Sequence, residues 1–103
     1  MGHVNLIKDT IPGGRSGSTA IGTTAVQVAD SGECFSGIEI RADSGNTDVI
    51  YVGYNSSVTA GTAGQSDGFP LQAGDSKSWP VESPNKLWLI SGDVSQKVFW
   101  DAK

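Results

Sequence analysis

The spacing of glycine and proline constrains this chain more than any other feature of its sequence. It contains 14 glycines and 4 prolines, and the longest stretch free of both is 93–103. Most of the other stretches between them have seven to nine residues or fewer. A typical α-helix needs about 11 residues and a typical strand about five or six. The spacing therefore favours short strands.

The residues between these breaks show the alternation of strands. In residues 37–42, Ile38 and Ile40 alternate with Glu39 and Arg41, so one face is apolar and the other polar. Residues 93–103 could also form a short helix, but the run Val98-Phe99-Trp100 favours a strand. The sequence predicts strands at 4–7, 24–29, 37–42, 48–54, 77–81, 86–90 and 97–102.

Short strands separated by turns predict an all-β fold, namely an antiparallel β-sandwich of the jelly-roll-like type. The turn at 43–46 predicts a hairpin between 37–42 and 48–54. A second hairpin is expected between 86–90 and 97–100. The predicted core consists of Ile38, Ile40, Ile50, Val52, Leu87, Leu89, Val98 and Trp100.

Residues 1–18 are expected to form an extended N-terminal arm and a flexible leash, and residues 19–103 the sandwich domain. The stretch 11–18 (IPGGRSGS) costs much backbone entropy to order and offers little surface to bury. An apolar arm on such a leash is expected to dock onto its own subunit or a neighbour. The predicted arm contacts are Val4, Leu6, Ile7 and Ile11.

A second unusual segment is 55–68 (NSSVTAGTAGQSDG), which is too long for a hairpin turn. Loops of this length in a small domain contact a partner, contain an extra edge strand or are disordered. The edge strand would lie at 58–62. The partner-contacting alternative would use Val58, Thr59 and Thr62.

The charge balance argues against a nucleic-acid partner. The 7 Lys and Arg against 11 Asp and Glu give a net charge of −4, with no basic stripe to neutralise phosphates. No membrane association is expected, because no apolar run approaches the roughly 18 to 20 residues of a spanning helix. The N-terminus also lacks the pattern of a signal peptide, so no export is expected.

Few side chains are suited to catalysis or to metal binding, so neither an enzyme nor a cofactor is expected. The single histidine, His3, is close to the N-terminus on the predicted arm. Cys34 is the single cysteine and has no adjacent His or Lys, which predicts a packed structural thiol. The turn 43–48 (DSGNTD) misses the calcium-loop pattern and is expected to cap itself.

Aromatic side chains are numerous, with 3 Trp, 2 Tyr and 3 Phe. Trp88 and Trp100 lie in strongly apolar strands, which favours the core or a subunit interface. Tyr54, Phe69 and Trp79 are expected to be exposed, with Trp79 half exposed beside Pro80. Exposed aromatics on a β-sandwich leave open a carbohydrate-binding module, with a glycan as the partner.

From residue 37 onward the chain resembles the small β-sandwich structural proteins of tailed-phage virions, notably head decoration or cement proteins. The similarity covers 37–103, about two thirds of the chain. Its motifs are turns and strands rather than chemistry. They are the DSGN turn at 43–46, VIYVG at 49–53, DGFPLQAGDS at 67–76, WPVE at 79–82, KLWLIS at 86–91 and QKVFW at 96–100.

The resemblance implies a jelly-roll-like module on the outer surface of a phage head. Such a module is made in the host cytoplasm, is commonly a homotrimer, and stabilises contacts between subunits of the major capsid protein. No catalytic residues come with the family. A neck or tail subunit built on the same sandwich remains an alternative, because these motifs do not distinguish the position within the virion.

Overall fold

The computed structural model describes residues 15–29, 34, 36–61 and 67–103. Within these ranges there is no α-helix, and one 3-10 turn lies at Pro84–Lys86. The strands are β1 (Arg15–Ile21), β2 (Val26–Gln27), β3 (Ile38–Ala42), β4 (Ile50–Gly53), β5 (Phe69–Leu71), β6 (Ser76–Trp79), β7 (Trp88–Ser91) and β8 (Gln96–Ala102).

The strands form two four-stranded sheets, with the orders β1-β8-β3-β6 and β2-β7-β4-β5. Every neighbouring pair is antiparallel. Side chains alternate across each sheet, so that in β3 Ile38 and Ile40 are buried while Arg41 is exposed. The prediction of an all-β fold with two antiparallel sheets is confirmed.

The core lies where the apolar faces of the two sheets meet. Each predicted core residue is buried except Trp100, which is partly buried and packs against the others. Ile40, Ile50, Leu87, Leu89 and Val98 have no exposed surface (0%), so a cavity made at any of these positions would be costly.

Both predicted hairpins are wrong. Strand β3 pairs with β6 and β8, whereas β4 pairs with β5 and β7, so the two strands joined by the turn at 43–46 lie in different sheets. The same is true of β7 and β8. The connections that look like hairpin turns are arches that carry the chain from one sheet to the other.

The arch between β3 and β4 is held by hydrogen bonds to β8. The Asn46 side chain donates to the Lys97 carbonyl (2.8 Å) and accepts from the Lys97 N–H (2.9 Å). The Asn46 N–H also donates to the Asp43 carbonyl (3.0 Å), so the turn does cap itself locally as expected. Its side-chain bonds tie the turn to β8, and the residues after the turn pair in the second sheet.

The predicted leash extends too far toward the C-terminus of the chain. Residues 15–18 belong to β1, which pairs with β8 in a seven-residue register from Arg15↔Ala102 to Ile21↔Gln96. Gly17 is required there by a close approach, because a Cβ atom at this position would lie 2.7 Å from the Trp100 ring. The apolar ring of Trp100 thus covers a glycine whose sequence context looked like a flexible linker.

Several other predicted elements change in extent. The strand predicted at 24–29 is reduced to β2, and β5 was not predicted at all. The edge strand predicted at 58–62 is replaced, over the described residues, by an isolated parallel bridge between Thr59 and Asp67. Thr62, the predicted strand at 4–7 and the arm residues Val4, Leu6, Ile7 and Ile11 lie outside the described residues.

Within the described part of the chain, no helix is long and apolar enough to cross a membrane.

Candidate functional site

The open side of the sandwich, where β5 and β6 form the last strands of their sheets, contains a cluster of aromatic side chains. Phe69 of β5 and Trp79 of β6 meet there edge to face, with ring centroids 6.3 Å apart and ring planes at 84°. This contact joins the two sheets along their shared side and forms one wall of a groove.

Strand alternation explains why a lysine joins these rings. Lys77 pairs with Ile40 and Trp79 pairs with Ile38, so both side chains lie on the inner face of β6. Because β6 is an edge strand, Lys77 is exposed, and its Nζ lies 5.0 Å from the Phe69 ring centroid and 5.7 Å from that of Trp79. An ammonium at this range is attracted by both rings.

The groove has a volume of about 340 Å³. Phe69, Trp79 and Lys77 line one part of it, and Tyr54 and Val58 line another. Tyr54 is 66% exposed and Phe69 is 50% exposed, so two large aromatic surfaces face solvent within one concave site. Such a surface can bind a partner by burying aromatic area around a single positive charge.

The loop after β4 is held in place by its own contacts. Val58 is buried and packs on Gly53, where a Cβ atom would lie 2.5 Å from Val58 Cγ2. The Thr59 hydroxyl donates to the Asp67 carboxylate (2.7 Å), and the Ser57 N–H donates to the Asn55 side-chain oxygen (2.9 Å). The described part of this loop is therefore packed against β4, and this wall of the groove is preformed.

Two of the three aromatic residues predicted to be exposed are exposed, and the third is buried. Tyr54 and Phe69 are exposed and line the same groove. Trp79 is only 3% exposed, so the prediction that it is half exposed is wrong. It is covered because it pairs with buried Ile38 and packs on Phe69, both distant in sequence.

The two predicted loop contacts at 58 and 59 differ in their exposure to solvent. Val58 is 5% exposed and serves the core of the loop rather than a partner, whereas Thr59 is partly exposed and bonds to Asp67. None of the sequence motifs described above predicts a role for Lys77. Its position two residues before Trp79 in a predicted strand was the signal that could have placed it on the same face.

Cys34 is a packed thiol, as expected. It is 5% exposed and its Sγ donates to the Val81 carbonyl (3.0 Å). Burial raises the pKa of the Cys34 thiol, against weaker lowering by the backbone hydrogen bond with Gly37 and by Arg15. The neutral thiol is thus the favoured form, and it is a poor nucleophile.

Metal ligands are not clustered in residues 15–29, 34, 36–61 and 67–103, where no three His, Cys, Asp or Glu side chains come together. His3 lies outside these ranges.

Comparison with known proteins finds no matching family model, no matching curated protein and no matching solved structure.

Proposed function

We propose that this chain is a non-catalytic structural protein of a tailed-phage virion. It binds the outer surface of the head as a decoration, or cement, protein and stabilises contacts between subunits of the major capsid protein. The observation that carries the proposal is the resemblance of residues 37–103 to such proteins, together with the structural role of its longest motif, 67–76.

The motif DGFPLQAGDS at 67–76 builds β5, a tight turn and the start of β6. The Gln72 N–H donates to the Asp75 carboxylate (3.0 Å), and the Asp75 N–H donates to the Gln72 carbonyl (2.8 Å). Gly74 has φ +88°, a conformation that favours glycine. These features close the turn that carries the chain from one sheet to the other, which supports a resemblance at the level of fold.

The strand order supports the jelly-roll part of the proposal. The pairs β1–β8, β2–β7, β3–β6 and β4–β5 all occur, and their numbers always sum to nine. This is the pairing expected when one long antiparallel hairpin of eight strands is rolled into two sheets. Residues 1–14 precede β1 and are proposed to serve as the extended arm.

The groove around Phe69 is proposed as the contact with the capsid. Tyr and Phe side chains are enriched at protein interfaces, and Tyr is among the residues that most often dominate the binding energy. Lys77 adds a positive charge that an acidic side chain of the capsid protein would pair with.

Alanine at Tyr54 or Phe69 is expected to raise the dissociation constant for heads assembled without this protein by roughly 30-fold, equivalent to about 2 kcal/mol. Co-sedimentation of the purified protein with such heads measures it. Val94→Ser is the matched control, because Val94 is 57% exposed but lies between β7 and β8, away from the groove. Equal binding by all three variants and the original protein would contradict the groove as the contact.

Deletion of residues 1–14 tests the arm separately. It leaves β1 complete, so thermal unfolding of the isolated protein is expected to change little. Binding to heads is expected to weaken roughly tenfold or more, because each fully buried arm side chain would contribute about 1.5–3 kcal/mol. A full-length variant with Leu6→Ser and Ile7→Ser serves as the matched control and should show the same loss. Unchanged affinity in both would remove the arm from the proposal.

A glycan-binding function is the second candidate, favoured by the position of Tyr54 and Phe69 in one groove beside Asn55 and Asp67. Aromatic rings can stack on sugars while polar side chains bond to hydroxyls. With Trp79 buried, the stacking surface would be Phe69 together with Tyr54. Glycan-array binding that disappears in Phe69→Ala, without binding to phage heads, would favour this function over the first.

A further inference from the structure

The outer face of the sheet β1-β8-β3-β6 lies on the opposite side of that sheet from the core. Ile38 and Ile40 of β3 and Val98 of β8 point into the core. The residues that alternate with them along each strand therefore point outward. We define the outer face by five of these residues, which lie on the two central strands. They are Glu39, Arg41, Lys97, Phe99 and Asp101.

Charges on the outer face are separated along the strands. The register places Glu39 directly opposite Asp101, and Arg41 directly opposite Phe99. Lys97 lies beside Phe99, with its Nζ 4.9 Å from the ring centroid. One end of the face is therefore acidic and the other basic, separated by two residues along a strand, or about 7 Å.

The acidic end is not balanced within one copy of the chain. Like charges directly opposite each other destabilise a sheet. Asp101 forms an ion pair with Lys103 at 3.5 Å, but both side chains are well exposed, at 45% and 64%, so this pair compensates little. Among the described residues, neither Glu39 nor Arg41 takes part in an ion pair. A cation approaching Glu39 and an anion approaching Arg41 would each be favoured.

The shape of the outer face permits a close approach. Small side chains flank it, Ser16 and Ser18 on β1 and Ser76 and Ser78 on β6. A shallow depression of about 210 Å³ lies between Glu39, Arg41, Phe99 and Asp101. Phe99 is 44% exposed beside it, which is unusual for an aromatic residue on a polar sheet face.

We propose that the outer face binds the same face of a second copy of this chain around a two-fold axis. An axis lying in the interface and perpendicular to the strands reverses the strand direction, so Glu39 of each copy comes to lie over Arg41 of the other. The second copy is the favoured occupant because Glu39 and Arg41 lie two residues apart on β3, so an axis passing between them sets each opposite the other's charge. A two-fold interface requires this kind of self-complementarity.

The size of the face sets the expected affinity. Four strands at about 4.8 Å spacing and seven residues at about 3.3 Å give a flat area of roughly 440 Å² per copy. The total of roughly 900 Å² is below the 1,200–2,000 Å² or so of stable complexes. The dimer is therefore expected to be weak, with a dissociation constant in the micromolar range or above. Added salt is expected to raise this dissociation constant. This inference does not rest on the proposed virion function.

Charge exchange provides the test. Sedimentation equilibrium of the full chain over a wide concentration range is expected to show a monomer–dimer equilibrium. Arg41→Glu and Glu39→Arg should each raise the dimer dissociation constant roughly tenfold or more, because each places like charges together across the interface. The double variant Glu39→Arg/Arg41→Glu should restore dimerisation, since it exchanges the two charges in both copies.

Lys86→Glu is the matched control, because Lys86 is an exposed lysine at the end of the 3-10 turn and away from the outer face. It should leave the dissociation constant within roughly twofold of the original. Thermal unfolding of each variant reports whether it is folded. If a single variant does not fold, restored dimerisation of the double variant still tests the proposal. A monomer at every concentration would overturn the proposal. Association that the single variants do not weaken, including the trimer implied by the family resemblance, would also overturn it.

Discussion

Replacing Gly37 with alanine is expected to lower the free energy of unfolding by about 3 kcal/mol or more, which combines strain from a positive φ with a steric clash. Gly37 has φ +106°, and a Cβ atom there would lie 2.3 Å from the Trp79 carbonyl oxygen and 3.2 Å from the Pro80 Cα. These are backbone atoms at the end of β6, so relief of the clash would displace the strand that positions Trp79 and Lys77. A loss of this size should lower the Tm by roughly 12 °C or more.

Gly74→Ala is the matched control for Gly37. Its φ of +88° is similar, but a Cβ atom at this position would have no neighbour within 4 Å. Only the backbone strain should remain, at about 1–2 kcal/mol. Urea unfolding of the two variants beside the original protein separates strain from clash. If the two alanine variants lose the same stability, the close approach of Gly37 to β6 does not contribute.

Replacing Gln96 with leucine is expected to cost about 2–3 kcal/mol, although it adds apolar surface, because it removes a set of buried hydrogen bonds. Gln96 is 3% exposed, and its Oε1 accepts from the N–H groups of Thr47 (2.8 Å) and Asp48 (3.0 Å). Its Nε2 donates to the Thr47 hydroxyl (3.0 Å) and to the Val94 carbonyl (2.7 Å). Together with the Asn46 side chain, this amide holds the arch before β4 against the start of β8.

Hydrogen exchange gives the specific readout for Gln96. The N–H groups of Thr47 and Asp48 should lose protection in Gln96→Leu by more than the global change in stability explains. Gln72→Leu is the matched control, since Gln72 is exposed in the turn between β5 and β6, and its stability should change by less than about 0.5 kcal/mol. Full protection of Thr47 and Asp48 in Gln96→Leu would show that the arch is held by other contacts.

The strands of the core could be predicted because a strand repeats every two residues. Ile38 and Ile40 alternate with charged residues, and Ile50 and Val52 lie two apart, so the buried face is visible in a few neighbouring residues. The same information could not give the pairing. A short polar turn between two strands is compatible with a hairpin in one sheet and with an arch between two sheets.

β1 and β5 show the limits of composition as a guide to structure. Residues 15–18 are rich in Ser and Gly, so the strand there is stabilised by its register with β8 and by the Trp100 ring over Gly17 rather than by its own propensity. β5 is three residues long and contains Pro70, which an edge strand accommodates because one of its sides is unpaired. Neither strand has enough local signal to be recognised without its partner.

Only some of the residues that line the groove could be predicted from the sequence. Tyr54 and Phe69 are exposed, as the sequence predicts. The neighbours Ser78 and Pro80 predict an exposed Trp79, but its burial depends on Ile38 and Phe69, which are 41 and 10 residues away in sequence. Lys77 lies over the Phe69 and Trp79 rings because β5 and β6 lie on the same side of the sandwich. A local sequence pattern does not predict this arrangement.

The sequence by itself determined where the strands of the core lie, which of their faces are apolar, and that glycine and proline exclude long helices. These properties depend on residues next to one another in the chain. Only the tertiary structure decided which strands pair and which aromatic side chains are covered. Those outcomes depend on contacts such as Asn46 with Lys97, 51 residues apart, for which no local pattern carries a signal.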